Sequence, residues 1–560
     1  MRRIKRVLAG ISVLAMLFNF AACSSAVEVP DKTGTDSAVT YDDEYMEQLD
    51  EYLNATSAAY TYKGVGINGY GATSKTKASD LGVGGYGVTS NSKEQGSNIS
   101  GHMERRSSKE DARLPQNKFI KTSDESTSTF SIDVDNASYT ELRYYASIDD
   151  IPQDFNLRTE ECINYFDYDY KNPEENELMS VNAQLADCPW NSDNQLLLLG
   201  LQAAKVDIEN RDPLNLVILL DTSGSMTDCI DAIKNAMGHL SNNLTDKDRI
   251  SLVTYAGSSE VLLSGVSGAD KDKIMNVIDS LNTDGYTNGQ KGLTQAYDIA
   301  KENFIDGGSN RVLLVTDGDF NLGIQSAKEM KKFVEEKRDL GIDISVLGCD
   351  LGGYLVGDPL MEAIADWGNG NYYFLDKEKE AIRVLETEFA GTMFKVASDV
   401  KLQLEFNKDT VAEYRLIGYE NRVLDNEDFD NDAVDAGDMG SGHTVTALYE
   451  LVLNDNALDN SDNQIAKFNI RYKNIGESQS NLQENEIKSN IYQSEASGNI
   501  ALASAVTEFC MLVEDKVLDT GCEYVGTSSV EDIKKLVSAS GKQDDKTVEF
   551  LELISSILSN

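Results

Sequence analysis

Asp221-Thr222-Ser223-Gly224-Ser225 follows directly on an apolar run, Leu214 to Leu220. Alternate residues of an extended loop point the same way, so Asp221, Ser223 and Ser225 can aim one carboxylate and two hydroxyls at one point. Oxygen donors of this kind suit a hard dication, Mg²⁺ or Mn²⁺, and do not suit zinc. Two further pieces carry the same chemistry. Gly285-Tyr286-Thr287-Asn288-Gly289 is a glycine-flanked loop that presents the Thr287 hydroxyl ahead of a helix. The run Val312 to Thr316 ends in Asp317-Gly318, a second carboxylate at a strand terminus. Asp and Ser are also good helix N-caps, so any one of these residues has an ordinary structural explanation. The three pieces in order argue for a metal site.

Strands and helices must alternate to bring these loops together. Short apolar runs at 214–220, 250–255, 311–316, 342–348 and 372–375 read as strands. Helical spacing is found over 229–240, around Ile274 to Leu281, and over 293–300, 327–340, 359–367 and 377–394. Such alternation implies an α/β fold with a doubly wound, mostly parallel, Rossmann-like sheet covered on both faces. In such sheets ligands sit beyond the C-terminal strand ends, where Asp221 and Asp317 stand. After about 398 the period changes to two: Leu402, Leu404 and Phe406 alternate with polar residues, as do Phe468, Ile470 and Tyr472. This predicts antiparallel strands with one wet face. Gln195 to Gln202 is another apolar strand, and helical spacing returns after about 495. The expected organisation is 1–22 export signal, 23–126 flexible Gly/Ser-rich spacer, 127–210 N-terminal flank, 211–396 metal-bearing domain and 397–560 C-terminal flank. That last flank is β-rich over 397–475 and helical over 495–560. Strands from 178–202 and 400–473 are expected to share one sheet with the α/β domain inserted between them, the alternative being two independent caps.

Charge and compartment narrow the functions. The chain has 560 residues and a formal net charge of -44, from 94 acidic and 50 basic residues. Phosphate backbones need Lys and Arg, so nucleic acid is not an expected partner. No GxxxxGK[ST] segment occurs, which removes the usual nucleotide-binding reading. Arg2, Arg3, Lys5 and Arg6 precede the short apolar stretch Val7 to Phe20, the pattern of an export signal. Ala21-Ala22-Cys23 follows and resembles a bacterial lipobox, with Phe20 where Leu is usual; lipidation of Cys23 is expected, giving membrane anchorage on the extracytoplasmic face. The other six cysteines form no CxxC pair, so zinc is not expected, and no disulfide is assigned. The acidic stretch from Asp425 to Asp438 reads first as a solvated loop and second as a calcium loop. Asp133 and Asp135 raise the calcium question more weakly. Tyr139, Tyr165, Tyr168 and Tyr170 read as packing residues, and the three histidines, His102, His239 and His443, suggest no catalytic triad.

The segments SIDVDNASYTELR (131–143), RTEECINYFDYDY (158–170), CPWN (188–191), DVKLQLEFN (399–407), YRLIGYENR (414–422), DAGDMGSGHTVTALYE (435–450) and ALASAVTEF (501–509) bracket the DxSxS, Thr and TDG pieces. Together they resemble the bacterial von Willebrand factor type A lipoproteins whose A domain has dedicated N- and C-terminal flanking regions, over about 127–560. The resemblance implies a metal-ion-dependent adhesion site: Ser223, Ser225 and Thr287 contact Mg²⁺ (or Mn²⁺) directly or nearly so, and Asp221 and Asp317 hold it directly or through water. A partner protein's carboxylate would fill the open position. The expectation is a non-enzymatic binding protein of the cell envelope. A structural or assembly role is the alternative, and a metal-dependent hydrolase is a more distant one.

Overall fold

The computed structural model describes residue 46 and residues 49–50, 115–283, 289–318, 326–349 and 359–558. Strands β1 (Ile120–Lys121), β2 (Thr127–Ser131), β3 (Met179–Asp187) and β4 (Gln195–Ala203) precede the α/β domain. That domain contributes β5 (Leu214–Asp221), β6 (Arg249–Tyr255), β7 (Ser259–Ser267), β8 (Ser309–Thr316), β9 (Asp343–Cys349) and β10 (Tyr372–Leu375). Then come β11 (Lys395–Phe406), β12 (Val411–Ile417), β13 (Val423–Leu424), β14 (Met439–Gly440), β15 (Thr444–Leu453), β16 (Gln464–Lys473), β17 (Ser480–Lys488) and β18 (Tyr492–Gln493).

The α/β sheet has the order β10-β9-β8-β5-β6-β7, parallel except for the antiparallel edge strand β7. Every residue of β5 is buried. Leu214, Leu216, Ile218 and Leu220 face one apolar layer, and Val217 and Leu219 face the other. That two-sided burial is why the run is continuously apolar. The chain runs outward from β5 through β6 and β7, then returns to build β8, β9 and β10 on the other side. Strand order therefore reverses between β5 and β8, and a crevice opens at such a switch point. The expected closing helix 377–394 is broken into Glu378–Ile382, a π-turn at Arg383–Thr387 and Phe389–Met393.

The flanks form a two-sheet sandwich. One sheet has the order β1-β12-β15-β4-β3-β18 and the other β13-β2-β11-β16-β17. Each contains strands from before and after the α/β domain, which is thus an insertion. The expected shared sheet is present in part: β4 and β3 join β15 and β12 across the insertion, whereas β11 and β16 join β2 in the facing sheet. Strand β4 sends Leu197, Leu199 and Leu201 into the sandwich core and Leu196 and Leu198 toward helical layers. Its opposite side is covered by the helix Asn499–Lys516, which is buried over most of its length. The Tyr170 ring lies on Gly200, whose absent Cβ would stand 2.2 Å from that ring, and the Tyr170 hydroxyl meets Thr446 Oγ1 at 2.8 Å.

Charge locks the halves together. Glu450 is buried and accepts from Arg415 Nη2 at 2.7 Å, Asn194 Nδ2 at 2.7 Å and Trp190 Nε1 at 3.2 Å. The Arg415 guanidinium also lies 3.9 Å from the Tyr524 ring centroid. Arg158 donates from Nη2 to Glu362 at 2.9 Å, and Arg143 donates to Asp376 at 2.7 Å, tying the N-terminal flank to the α/β domain. The expected spacer 23–126 is too long at its end: Ile120 pairs with Tyr414, and upstream Leu49 is fully buried in a core. Tyr139 stacks on Tyr165 at 4.2 Å, so these tyrosines serve packing. The cysteines at 162, 188, 229, 349, 510 and 522 are buried and form no disulfide among the described residues; Cys23 and His102 lie outside the described residues.

Candidate metal centre

Pairing of β5 with β8 sets Leu220 opposite Val315, and pairing with β6 sets Asp221 opposite Tyr255. Asp221 and Asp317 therefore leave the sheet at the same edge, on the two strands that flank the switch point. Asp221 is fully buried, and its Oδ1 accepts the Ser223 backbone N–H at 2.7 Å. Its Oδ2 meets no donor at hydrogen-bond geometry among the described residues. Ser223 is extended, with φ -63 and ψ 166, after which the chain winds into Gly224–Asp228 and the helix Ile230–Asn242. This brings Ser223 Oγ and Ser225 Oγ within 2.9 Å of each other. The loop is pinned from below, because the Thr222 N–H donates to the Tyr255 carbonyl at 2.9 Å. Gly318 has φ 87, a left-handed conformation that favours glycine and turns the chain sharply after Asp317.

The electrostatics are those of crowded anions. Burial first, and the neighbouring Asp317 second, push the Asp221 carboxyl up to about 7. Hydrogen bonding from Ser223 and the closeness of the Tyr255 hydroxyl temper the rise. Burial and Asp221 in turn raise the Tyr255 phenol. A buried and a half-buried carboxylate beside two paired hydroxyls form a hard-oxygen set, and a dication is the species that such a set can neutralise. Asp221 Oδ2, buried and close to the Tyr255 hydroxyl, supplies a lone pair for it.

Of the five residues expected to hold a metal, Asp221, Ser223, Ser225 and Asp317 share this edge, and Thr287 lies outside the described residues. No three His, Cys, Asp or Glu side chains surround a common point among the described residues. A site here thus depends on hydroxyls and water as well as carboxylates. Tyr255 was not singled out from the sequence, although its place at the end of a strand predicted to lie beside Asp221 is a readable signal. The acidic loop 425–438 is corrected from freely solvated to partly ion-paired: Asp430 and Asp432 pair with Arg471, and Asp435 with Arg338. His239 Nδ1 lies 2.9 Å from Glu386, and His443 is half-buried against Gly391 and Gly440.

Comparison with known proteins bears on this architecture. A family model for the von Willebrand factor type A domain matches residues 216–319, a span that contains all five candidate ligands. A model described as von Willebrand factor matches 106–198, and one described as uncharacterized protein YfbK, C-terminal, matches 391–559. The chain is 37% identical over 453 residues to the uncharacterized protein YfbK of Escherichia coli (strain K12), covering 76% of this chain and 77% of the relative. It is 28% identical over 215 residues to the uncharacterized protein YwmC of Bacillus subtilis (strain 168), covering 34% of this chain and 90% of that one. A solved von Willebrand factor type A structure from Catenulispora acidiphila aligns at 15% identity and TM-score 0.40, over 67% of this chain and 88% of that chain. The chain belongs to the YfbK family of von Willebrand factor type A proteins, in which an A domain is carried between dedicated N-terminal and C-terminal flanking regions.

Proposed function

We propose that the protein binds a partner protein through a Mg²⁺ (or Mn²⁺) ion held by Asp221, Ser223, Ser225, Thr287 and Asp317, and that it does so from the cell envelope as a lipoprotein anchored through Cys23. Von Willebrand A domains generally mediate protein–protein interaction. The observation that carries the metal reading is the fully buried Asp221 carboxyl beside Asp317 at the switch-point edge. Ser223 and Ser225 orient neutral oxygens toward the same place, and the Ser223 N–H fixes the rotamer of Asp221. When bound, the ion supplies Lewis acidity at an open position suited to a partner's carboxylate. The Ser223 and Ser225 hydroxyls pair with each other and not with a histidine base, so we favour binding over hydrolysis.

The anchor rests on the basic start, the short apolar stretch and Cys23. No helix among the described residues is long and apolar enough to cross a membrane. Cys23→Ser is expected to abolish labelling by radioactive palmitate and transfer of the chain into the detergent phase. Labelling of the variant at the wild-type level refutes the anchor. For the site, titration calorimetry of Mg²⁺ into the full chain is expected to show one equivalent bound, lost in both Asp221→Ala and Asp317→Ala. Equal binding by those variants refutes the assignment. Crosslinking in intact cells separates adhesion, with outside or matrix partners, from an assembly role confined to envelope proteins.

A further inference from the structure

The stretch 42–51, upstream of the folded flanks, is strongly acidic, with six of its ten residues Asp or Glu. Met46, Leu49 and Leu53 follow helical spacing. The structure describes Met46, Leu49 and Asp50 of this stretch, and all three are helical. Leu49 is 0% exposed. It joins the apolar layer that also holds Ala327, Met330 and Val334 of the helix Ala327–Arg338, and Met46 packs against that layer. Five of the twelve residues of that helix are basic and three are acidic, in a chain whose net charge is -44. An acidic segment and a helix of net positive charge are complementary.

The first four backbone N–H groups of a helix have no partner within it. Ser326 stands at the N-cap position, but its side chain makes no capping bond. The Ala327 N–H donates instead to Asp50 Oδ1, 277 positions upstream. A carboxylate there also meets the positive end of the helix dipole. Two contacts of different kinds, a buried leucine and a charged cap, thus fasten this segment to the A domain. Strands β8 and β9 are parallel, so the helix between them runs back across the sheet and starts at the edge where Asp317 stands.

We propose that Met46, Leu49 and Asp50 form a latch: the A domain docks this chain's own acidic segment at the start of the helix Ala327–Arg338, and docking sets how far the domain can stand from Cys23. Docking is independent of any lipid, whereas reach rests on the anchor proposed for Cys23. One leucine and one cap hold the segment, few enough contacts to open without unfolding the domain. With the latch closed, 26 residue steps join Cys23 to Leu49. They span at most about 90 Å at ~3.5 Å per residue. With it open, the next tie to the fold among the described residues is Gln116, which donates to Glu514 at 2.6 Å. The 93 steps from Cys23 to Gln116 raise the limit to about 330 Å.

Docking is tested on the full chain carrying Cys23→Ser, which needs no lipid. Asp50→Ala leaves the apolar contact in place and is expected to speed hydrogen exchange at the Ala327 N–H about tenfold. A fluorescent peptide of residues 41–56 is expected to bind the chain that also carries Leu49→Asp and Asp50→Ala. It is expected to bind the chain with its own segment intact at least about tenfold more weakly, because the resident segment competes at millimolar effective concentration. The same peptide with both substitutions is expected not to bind. Equal exchange at Ala327 with and without Asp50→Ala overturns the docking, as does failure of the doubly substituted chain to take up the peptide at ~1 mM. Reach is read by neutron reflectometry of the lipidated chain at a supported bilayer, where Leu49→Asp with Asp50→Ala is expected to shift the folded part outward. An unmoved layer overturns the control of reach. Absence of palmitate labelling strikes the anchor alone and leaves the exchange and peptide results standing.

Discussion

Replacing a metal ligand usually weakens a protein, but Asp221→Asn is expected to strengthen this one when no metal is present. The Asp221 carboxyl is fully buried, and burial with the Asp317 charge lifts it from 3.8 to about 7. A raised acid pKa means that the native state holds a proton which the unfolded chain has lost. Stability of the metal-free chain therefore falls as pH rises from about 4 to about 7, and it stays low above that. At ~1.36 kcal/mol per unit, a rise of about three units sets a ceiling of ~4 kcal/mol on this loss. Asparagine keeps an acceptor for the Ser223 N–H and carries no charge. At pH 8 in EDTA the variant is expected to be more stable by about 2–4 kcal/mol. For a unit the size of the A domain that raises Tm by about 4–10 °C, read by scanning calorimetry. Mg²⁺ at about 100 times its Kd adds ~2.7 kcal/mol to the wild type and nothing to the variant, and at pH 5 the EDTA difference narrows. A variant that melts below wild type in EDTA at pH 8, or gains as much from Mg²⁺, refutes the reasoning.

Other perturbations test how the halves are joined. Arg415→Met leaves the Glu450 charge buried and is expected to cost about 3–5 kcal/mol in urea unfolding, with most of it recovered in Arg415→Met/Glu450→Gln. A double variant as weak as the single contradicts this. Gly200→Ala puts a methyl group where the Tyr170 ring lies and is expected to cost ~1–3 kcal/mol in the same assay; an unchanged midpoint contradicts the packing. Burial, then Asp532, pushes the Glu508 carboxyl up to about 8, and neither of its oxygens has a hydrogen-bond partner. Wild-type stability is thus expected to decline as pH rises through about 5 to 8, and Glu508→Gln to flatten that profile; parallel profiles contradict it.

The legible parts of the fold were those in which burial has one cause. Strand β5 is apolar throughout because both its faces are covered, and 359–367 and 372–375 fall where the spacing put them. Strand β7 was not foreseen because it is an edge strand whose burial alternates only loosely. A period of two names the wet face of a strand but not its partner, so the division of β3, β4, β11 and β16 between two sheets was unreadable. The helix Ala137–Ser147 buries Ser138, Thr140 and Glu141 among its apolar residues, which blurs its pattern. Glu141, Glu161 and Asp135 look like surface residues in the sequence. Glu161 pairs with the nearby Arg158, but Glu141 and Asp135 depend on Tyr372 and Arg422, brought close only by folding. The strand-end oxygens were legible because strand, loop and helix adjoin in sequence. The cap that Asp50 gives the helix Ala327–Arg338 was not, because its two partners lie 277 positions apart.

The most direct test of the metal-binding claim is diffraction from crystals of the full chain grown with Mn²⁺, recorded near the manganese absorption edge. The account predicts an anomalous peak within bonding distance of Ser223 and Ser225 oxygens, with Asp221 and Asp317 bound directly or through one water and Thr287 in the same shell. A peak elsewhere, or none at this sheet edge at saturating Mn²⁺, contradicts it.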